Sequence, residues 1–185
     1  GLGYRMRKAG EADLTPEQAA AAAAGAKAMM PLGERPFLDH VLSELADAGL
    51  TDICLVIGPE HDAVREYYDA LRPRRVRISY AVQAEPLGTA DAVAAAAGFA
   101  GQDRFVVVNG DNLYPSDSLR RLVAEPGLAT VGFNPEGLVA NSNIPADRMA
   151  AFAVLRLGPG GDVTDVVEKP SAEAIASLGA RRWVS

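Results

Sequence analysis

Hydrophobic positions along this chain follow two periods that alternate with each other. The helical period, together with one alanine-rich run, predicts helices over residues 37–48, 63–71, 89–97 and 119–124. Short β-branched or alternating runs predict strands over residues 53–57, 76–82, 104–108 and 129–133. Because strands and helices alternate, we expect repeated βα units, which build an α/β fold with a mostly parallel sheet and helices on both faces.

The ends of the predicted helices carry the usual signals. Pro36 suits the first turn of the first helix and Gly49 suits its end. Thr89 is a candidate N-cap for the alanine-rich helix. A second alanine-rich stretch, Pro16 to Ala24, predicts either a short helix or a mobile loop.

The pattern changes after Asn134. Apolar runs at residues 152–157 and 163–167 flank a turn sequence, Pro159-Gly160-Gly161-Asp162, and predict an antiparallel hairpin. We therefore divide the chain into an α/β part, residues 1–134, and a smaller antiparallel part, residues 135–185.

Composition narrows the function classes. With 185 residues and 49% hydrophobic residues, the chain can bury a substantial core. A net charge of −6 argues against nucleic acid as the main partner, because phosphate backbones need clustered Lys and Arg. No apolar run approaches the ~20 residues that span a bilayer, and no signal-peptide pattern is present, so we expect no membrane partner. A single cysteine, Cys54, cannot form an internal disulfide, and we expect a reducing, cytoplasmic environment.

Candidate chemistry begins directly after the strand predicted over 104–108. Asn109-Gly110-Asp111-Asn112 follows that strand and lies at the edge of the sheet where α/β folds place their ligand sites. A lone carboxylate at this position is also typical of an ordinary turn or helix N-cap, so Asp111 alone does not decide between a site and a turn.

Three further motifs favour a site. They are Gly1-Leu2-Gly3-Tyr4-Arg5-Met6-Arg7, Gln83-Ala84-Glu85-Pro86-Leu87-Gly88-Thr89-Ala90 and Val167-Glu168-Lys169-Pro170. Together with Asp111 they resemble, in order and along the whole chain, the nucleotidyltransferases that join a nucleoside triphosphate to a sugar 1-phosphate. The resemblance implies a Rossmann-like fold of the nucleotide-diphospho-sugar transferase type. Residues 1–134 would then bind the nucleotide and residues 135–185 would begin a small sugar-binding part.

The resemblance implies that Gly1, Leu2, Gly3 and Arg5 hold the triphosphate. Glycines let backbone N–H groups approach phosphate oxygens, and the arginine adds a planar fork of donors. Without the resemblance, these residues are more typical of a surface turn with a solvated basic cluster. Tyr4 stands where the family has a small hydroxyl residue.

A second group of residues resembles the pocket in which the family binds the nucleotide base. Gln83 offers an amide that can read a base edge, Gly88 admits close approach of the backbone, and Leu87 can cover the base. Pro86 and Thr89 complete this predicted nucleotide-binding set. The same residues are typical of a plain strand-to-helix turn. UTP or dTTP is slightly favoured by Gln83, although adenylyl-transferring relatives share the glycine-threonine turn.

The resemblance also implies two residues that neutralise the charge of the phosphates, one directly and one through a metal ion. Lys27 resembles the family lysine that offsets charge at the reacting phosphorus, although Ala26 replaces the usual proline before it. Asp111 resembles the family's ligand for Mg²⁺, a hard ion that prefers one or two carboxylates with phosphate oxygens. The family's second metal-binding aspartate has no match here, and we expect it beyond Ser185.

The sugar phosphate is implied to contact Asn112, Ala153, Glu168 and Lys169. Glu168 and Lys169 resemble the sugar-hydroxyl acceptor and the phosphate clamp, and Ala153 stands where the family usually has glycine. A plain exposed charge pair before a proline is the alternative for Glu168 and Lys169.

The start of the sequence predicts a missing strand, because a phosphate loop normally follows one and Gly1 has none before it. We therefore expect a fragment in which the segment near Val106 lacks a sheet partner. The implied enzyme is a sugar-1-phosphate nucleotidylyltransferase of nucleotide-sugar biosynthesis that uses Mg²⁺. Its partners are a nucleoside triphosphate and a sugar 1-phosphate, and a homo-oligomer is left open.

Two alternatives remain open at this point. One is a cytidylyltransferase acting on a small phosphorylated alcohol. The other is a non-catalytic sugar-nucleotide sensor or regulatory protein of the same fold, favoured by Tyr4, Ala153 and the unmatched second carboxylate. The two histidines, His40 and His61, have no cysteine partners at metal-ligand spacing and are interpreted as surface or packing residues.

Overall fold

The computed structural model describes residues 15–16, 27–142, 144–168, 170–171 and 183–184. The chain divides into two compact units, Gly1–Val123 and Ala124–Ser185. The glycine-rich motif at Gly1–Arg7 and nearly all of the alanine-rich stretch Pro16 to Ala24 lie outside the described residues. No helix in the described ranges is long and apolar enough to cross a membrane.

The helices match most of the sequence predictions. Their bounds are α1 Phe37–Asp47, α2 Asp62–Leu71, α3 Thr89–Ala95, α4 Ala97–Ala100, α5 Ser116–Ala124 and α6 Pro135–Asn141, with 3₁₀ helices at Lys27–Met29 and Ala146–Ala151. The end of α1 forms a Schellman motif, in which Gly49 N–H donates to Ala46 and Leu50 N–H donates to Leu45. Gly49 has φ +88°, which explains why glycine suits this helix end.

The strands form three small sheets in the described residues. Their bounds are β1 Pro31–Leu32, β2 Arg35–Pro36, β3 Asp52–Ile57, β4 Arg77–Val82, β5 Val154–Leu157, β6 Val163–Val167 and β7 Trp183–Val184. β1 and β2 are antiparallel, β3 and β4 are parallel, and the third sheet has the order β6-β5-β7.

The predicted βα arrangement is confirmed by the parallel pair. β3 and β4 align in register from Asp52↔Arg77 to Ile57↔Val82, and α2 connects them. The first pair is also an ion pair, in which Arg77 donates from Nε and Nη2 to the two carboxylate oxygens of Asp52 at 2.6 and 2.5 Å. The pairing continues past the strand, because Gln83 N–H donates to the carbonyl of Ile57 at 2.9 Å.

The core of the first unit lies where α1, α2 and α5 meet β3. The buried residues of this core are Leu38, Val41, Leu42, Leu45, Ile53, Ile57, Val64, Tyr68, Val76 and Leu119. The amphipathic period of α1 therefore does what the sequence predicts, since its apolar face supplies four of these side chains.

The strand predicted over 104–108 is not formed, which corrects that expectation. This segment keeps a two-residue alternation, with Phe105 and Val107 about half exposed while Val108 packs against the core. A strand is defined by ladder hydrogen bonds to a neighbour, and no strand in the described residues pairs with this segment.

The second unit contains the predicted hairpin and corrects another strand. β5 and β6 pair antiparallel from Val154↔Val167 to Leu157↔Val163, with the register shift of a bulge at Arg156 and Leu157. The strand predicted over 129–133 is reduced to one bridge between Phe133 and Val184. Phe133 and Val184 exchange both backbone hydrogen bonds at this bridge, at 2.8 and 2.9 Å, and the two described residues of β7 offer no longer ladder to this segment.

Two tyrosines join α1 to α2. Tyr67 and Tyr68 donate to the two carboxylate oxygens of Asp39 at 3.0 and 2.8 Å, and their rings meet edge to face with centroids 5.0 Å apart. Tyr68 is buried, and this burial together with its hydrogen bond to Asp39 holds its pKa well above the ordinary value of 10.0. The hydroxyl therefore stays protonated and keeps donating.

We expect the free energy of unfolding to fall as the pH rises above about 10. In the unfolded chain Tyr68 loses its proton near that pH, whereas in the folded chain it keeps it, so its contribution is complete below that pH and declines above it. Urea denaturation across this range should show a smaller decline for Tyr68→Phe than for the wild type. Equal declines in both proteins would contradict this role of Tyr68.

Candidate active site

A cleft with a cavity volume of about 890 Å³ is lined on one side by β3 and on the other by residues 103–111. Side chains of α1 and α3 also line it. β3 pairs with β4 along one edge, and its other edge has no strand partner in the described residues. Five of the candidate site residues line this cleft from different segments: Lys27, Gln83, Gly88, Thr89 and Asp111.

Lys27 and Asp111 are brought together by the fold. Lys27 Nζ lies 4.0 Å from Asp111 Oδ2, and the two side chains are 27% and 47% exposed. Lys27 opens a 3₁₀ turn in which Met30 N–H donates to its carbonyl, and Ala28 and Met29 pack on the core. The backbone of Lys27 is therefore positioned by the partly buried residues that follow it, and Lys27 itself lines the cleft.

Asp111 is held by a tight turn. Asn112 N–H donates to the carbonyl of Asn109 at 3.2 Å. A Cβ on Gly110 would lie 3.6 Å from the Cβ of Ala28, so this turn approaches the 3₁₀ helix closely. Asp111 therefore lies in an ordinary turn, and this turn places its carboxylate 4.0 Å from the ammonium of Lys27.

The ion pair between Lys27 and Asp111 is weak by its geometry. Half-exposed pairs near 4 Å contribute about 0–1 kcal/mol, because water screens the attraction. Such a pair exchanges partners easily. Lys27 can turn to an anion and Asp111 to a cation without a large loss of stability.

Gln83 is fixed by three hydrogen bonds at the end of β4. Its backbone N–H donates to Ile57, and its side-chain Nε2 donates to the carbonyl of Gly88 at 3.0 Å and to Asp91 Oδ2 at 2.9 Å. The sequence did not single out Asp91. Its position in the first turn of α3, eight residues after Gln83, was the available signal.

Gly88, and not Thr89, is the N-cap of α3, which corrects the expectation for Thr89. Thr89 is the first helical residue, and no side chain caps this helix. Gly88 has φ +107°, a backbone conformation that residues with a Cβ rarely adopt. The turn therefore requires glycine at this position, and Thr89 lines the cleft from the helix.

Pro86, Leu87 and Asn112 lie beside this arrangement. Leu87 is 71% exposed, and its N–H donates to the carbonyl of Glu85 at 2.8 Å. Pro86 is also exposed. Asn112 donates from Nδ2 to the hydroxyl of Tyr114 at 3.2 Å.

The predicted sugar residues in the second unit are neighbours on the hairpin. Ala153 is buried and Glu168 is exposed. Ala153 directly precedes β5 and Glu168 directly follows β6, so both adjoin the pair formed by Val154 and Val167. Gly1, Leu2, Gly3, Arg5 and Lys169 lie outside the described residues.

The metal prediction rests on Asp111. No group of three or more His, Cys, Asp or Glu side chains that could hold a metal ion occurs in the described ranges. Asp111 offers a half-exposed carboxylate at the cleft, and a single carboxylate suits Mg²⁺ when phosphate oxygens and water supply the other ligands. His61 accepts a hydrogen bond at Nδ1 from Gly58 N–H, in agreement with its interpretation as a packing residue.

Known proteins resemble this chain in sequence. Residues 22–183 match the model of the nucleotidyl transferase family. The bifunctional protein GlmU of Methanococcus maripaludis is 30% identical over 151 residues, which are 82% of this chain and 32% of that protein. A UTP–glucose-1-phosphate uridylyltransferase of Bacillus subtilis, YngB, is 27% identical over 177 residues, which cover 82% of this chain and 58% of the relative.

Solved structures resemble it in fold. A UDP-glucose pyrophosphorylase from Acinetobacter baumannii superposes with a TM-score of 0.67 at 21% identity, covering all of this chain and 70% of the other. A UDP-glucose pyrophosphorylase in complex with UDP-glucose gives a TM-score of 0.65 at 18% identity, with the same coverage. These likenesses show the α/β fold that the alternating pattern predicts.

The first curated relatives are longer than this chain, which spans about a third of their length. The matched region nevertheless includes the cleft, the Lys27–Asp111 pair and the hairpin of the second unit. The chain belongs to the nucleotidyl transferase family.

Proposed function

We propose that the full-length protein is a sugar-1-phosphate nucleotidylyltransferase, which joins a nucleoside triphosphate to a sugar 1-phosphate and releases pyrophosphate. The observation that carries the proposal is the meeting of Lys27 and Asp111 on the same cleft as Gln83 and Gly88. Lys27 and Asp111 would then contact the phosphates of a bound nucleoside triphosphate, and the amide of Gln83 would contact its base. Relatives named as glucose-1-phosphate uridylyltransferase and thymidylyltransferase support this reading.

The proposed reaction is a direct displacement. An oxygen of the sugar phosphate forms a bond to the α-phosphorus, and the bond from that phosphorus to the β-phosphate oxygen breaks. The electron pair of the broken bond leaves with pyrophosphate. No general base is needed, because the attacking phosphate is already ionised at neutral pH. Positioning and charge neutralisation therefore carry the rate.

Lys27 would offset the repulsion between the two anionic reactants. Its side chain is 27% exposed and its ammonium is paired only loosely with Asp111, so Lys27 can reach a phosphate without leaving a buried carboxylate unpaired. Asp111 would hold Mg²⁺, which supplies charge neutralisation at the phosphates when bound. Arg5 would add donors to the leaving pyrophosphate, as the resemblance implies.

The base would lie against the turn that joins β4 to α3. Gln83 would read its edge, and Leu87, exposed at 71%, would cover its face and lose solvent contact when a nucleotide binds. UTP or dTTP is the favoured substrate. The resemblance implies sugar-phosphate contacts for Asn112, Ala153, Glu168 and Lys169, with the carboxylate of Glu168 accepting from a sugar hydroxyl.

One observation favours a second candidate. Ala153 is buried and stands where the family usually has glycine, so its methyl group would narrow the sugar pocket, and a protein altered in this way could bind a sugar nucleotide without turning it over. A non-catalytic sensor would bind nucleotide and sugar nucleotide but release no pyrophosphate.

The deciding experiment is a pyrophosphate-release screen of the full-length protein with Mg²⁺, over all common nucleoside triphosphates paired with a panel of sugar 1-phosphates. Release that requires one triphosphate and one sugar phosphate together supports the transferase. Nucleotide binding by calorimetry with no release for any pair supports the sensor instead.

Asp111→Asn in the full-length protein should lower kcat by about 100-fold or more, because several kcal/mol of charge stabilisation depend on the carboxylate. Its thermal unfolding should change little, since the side chain keeps its shape and the ion pair with Lys27 is weak. Asp117→Asn is the matched control, because it removes an exposed carboxylate paired with Arg120 away from the cleft. A near wild-type rate for Asp111→Asn at limiting Mg²⁺ would show that Asp111 is not a metal ligand.

Gln83→Ala should reduce the discrimination among nucleoside triphosphates more than it weakens triphosphate binding. A wrong base is disfavoured because it leaves the amide of Gln83 without a hydrogen-bond partner, and the alanine variant has no such amide. Ratios of kcat/KM for the four common triphosphates measure this effect. If every nucleotide loses the same factor, Gln83 has only a structural role.

A further inference from the structure

We propose that Asp91 is a positioning residue that locks the side-chain amide of Gln83 in one orientation, so that Gln83 presents only its carbonyl oxygen to the base. The cleft then selects a pyrimidine with an N–H at ring position 3, as in uracil and thymine, over cytosine. This inference rests on the proposed function, because it concerns how that site reads its nucleotide.

The orientation follows from what surrounds one atom of Gln83. Its terminal Nε2 lies 3.0 Å from the carbonyl of Gly88 and 2.9 Å from Asp91 Oδ2. Both neighbours are acceptors and neither can donate. An amide turned by 180° would place an oxygen at the same two contacts and face repulsion from both, so the atom between them must be the nitrogen.

Both hydrogens of that nitrogen are used by these contacts. An amide group has two N–H donors, and Gly88 and Asp91 take one each. No described residue donates to the carbonyl oxygen Oε1 of Gln83, which is the remaining polar atom of a side chain that lines the cleft. To a ligand, Gln83 is therefore an acceptor and not a donor.

Both Gln83 and its acceptor Gly88 are themselves held by backbone hydrogen bonds. Gln83 N–H continues the β3–β4 ladder by donating to Ile57 at 2.9 Å. The carbonyl of Gly88 also accepts from Ala92 N–H at 3.1 Å, which is the first hydrogen bond of α3. Asp91 lies in the same helical turn and is half-buried. The amide is thus fixed between a strand end and a helix start, and a bond to a carboxylate is stronger than one to a neutral acceptor.

A fixed acceptor distinguishes the pyrimidines. Uracil and thymine carry an N–H at ring position 3, which can donate to Oε1. Cytosine carries a lone pair at that position, which would meet Oε1 as acceptor against acceptor. Without Asp91, the amide could rotate and offer an N–H to cytosine, so the discrimination depends on a residue that need not touch the base.

The test measures equilibrium binding of UTP and CTP to the full-length protein by calorimetry. Asp91→Ala should lower the preference for UTP over CTP by about tenfold or more, mainly through tighter binding of CTP. Asp91→Asn should retain most of the preference, because its amide oxygen can still accept from Gln83. Asp62→Ala, which removes an exposed first-turn carboxylate from α2, is the control and should leave the preference unchanged.

The outcomes separate this inference from the proposed function. Three results would overturn the role of Asp91. They are an unchanged preference for UTP over CTP in Asp91→Ala, an equal loss of affinity for both nucleotides in that variant, and a wild type that binds CTP as tightly as UTP. A failed pyrophosphate-release screen overturns the transferase, and binding selectivity still decides the role of Asp91. A wild type that binds neither nucleotide overturns both.

Discussion

The parallel pairing of β3 with β4 is the constraint on which the rest of the first unit depends. Its register sets where β4 ends, and the hydrogen bond from Gln83 to Ile57 carries the pairing into the turn that follows. Parallel strands place their carboxyl ends at one edge, so Gln83 and the turn at Gly88 lie at the edge that borders the cleft. The buried face of α1 holds β3 from one side, and Lys27 and Asp111 meet at the same cleft.

Local patterns predicted the elements but not all their partners. The apolar face of α1 and the Schellman turn at Gly49 depend on residues close in sequence, so the sequence predicts them well. The segment 104–108 has a strand's alternation, yet a strand also needs a neighbour, and that is a tertiary property. Threonine is a common N-cap, and its sequence position therefore predicts that role for Thr89, but in the structure Gly88 is the N-cap and has the positive φ of the turn.

The sequence predicts individual residues of the candidate site but not the contacts between them, because those contacts are also tertiary. Motifs in a recognisable order named Lys27, Gln83 and Asp111 separately, and only the fold shows the distance between Lys27 and Asp111. The sequence does not predict a role for Asp91, because its proposed role depends on one hydrogen bond from Gln83, which joins the end of a strand to the start of a helix. A carboxylate in the first turn of a helix is common, and nothing in its sequence surroundings distinguishes this one.

The ion pair between Lys27 and Asp111 also bears on the order of assembly during folding. β3 and β4 are joined by a single helix, and α1 adjoins them in sequence, so this βαβ element is a region of low contact order. Lys27 and Asp111 lie on either side of that element in the chain, and bringing them together closes a much longer loop for a weak attraction. We expect the pair to form late, after the strands and helices between its partners have packed. The charge pair at the cleft would then be completed at the end of folding of this unit.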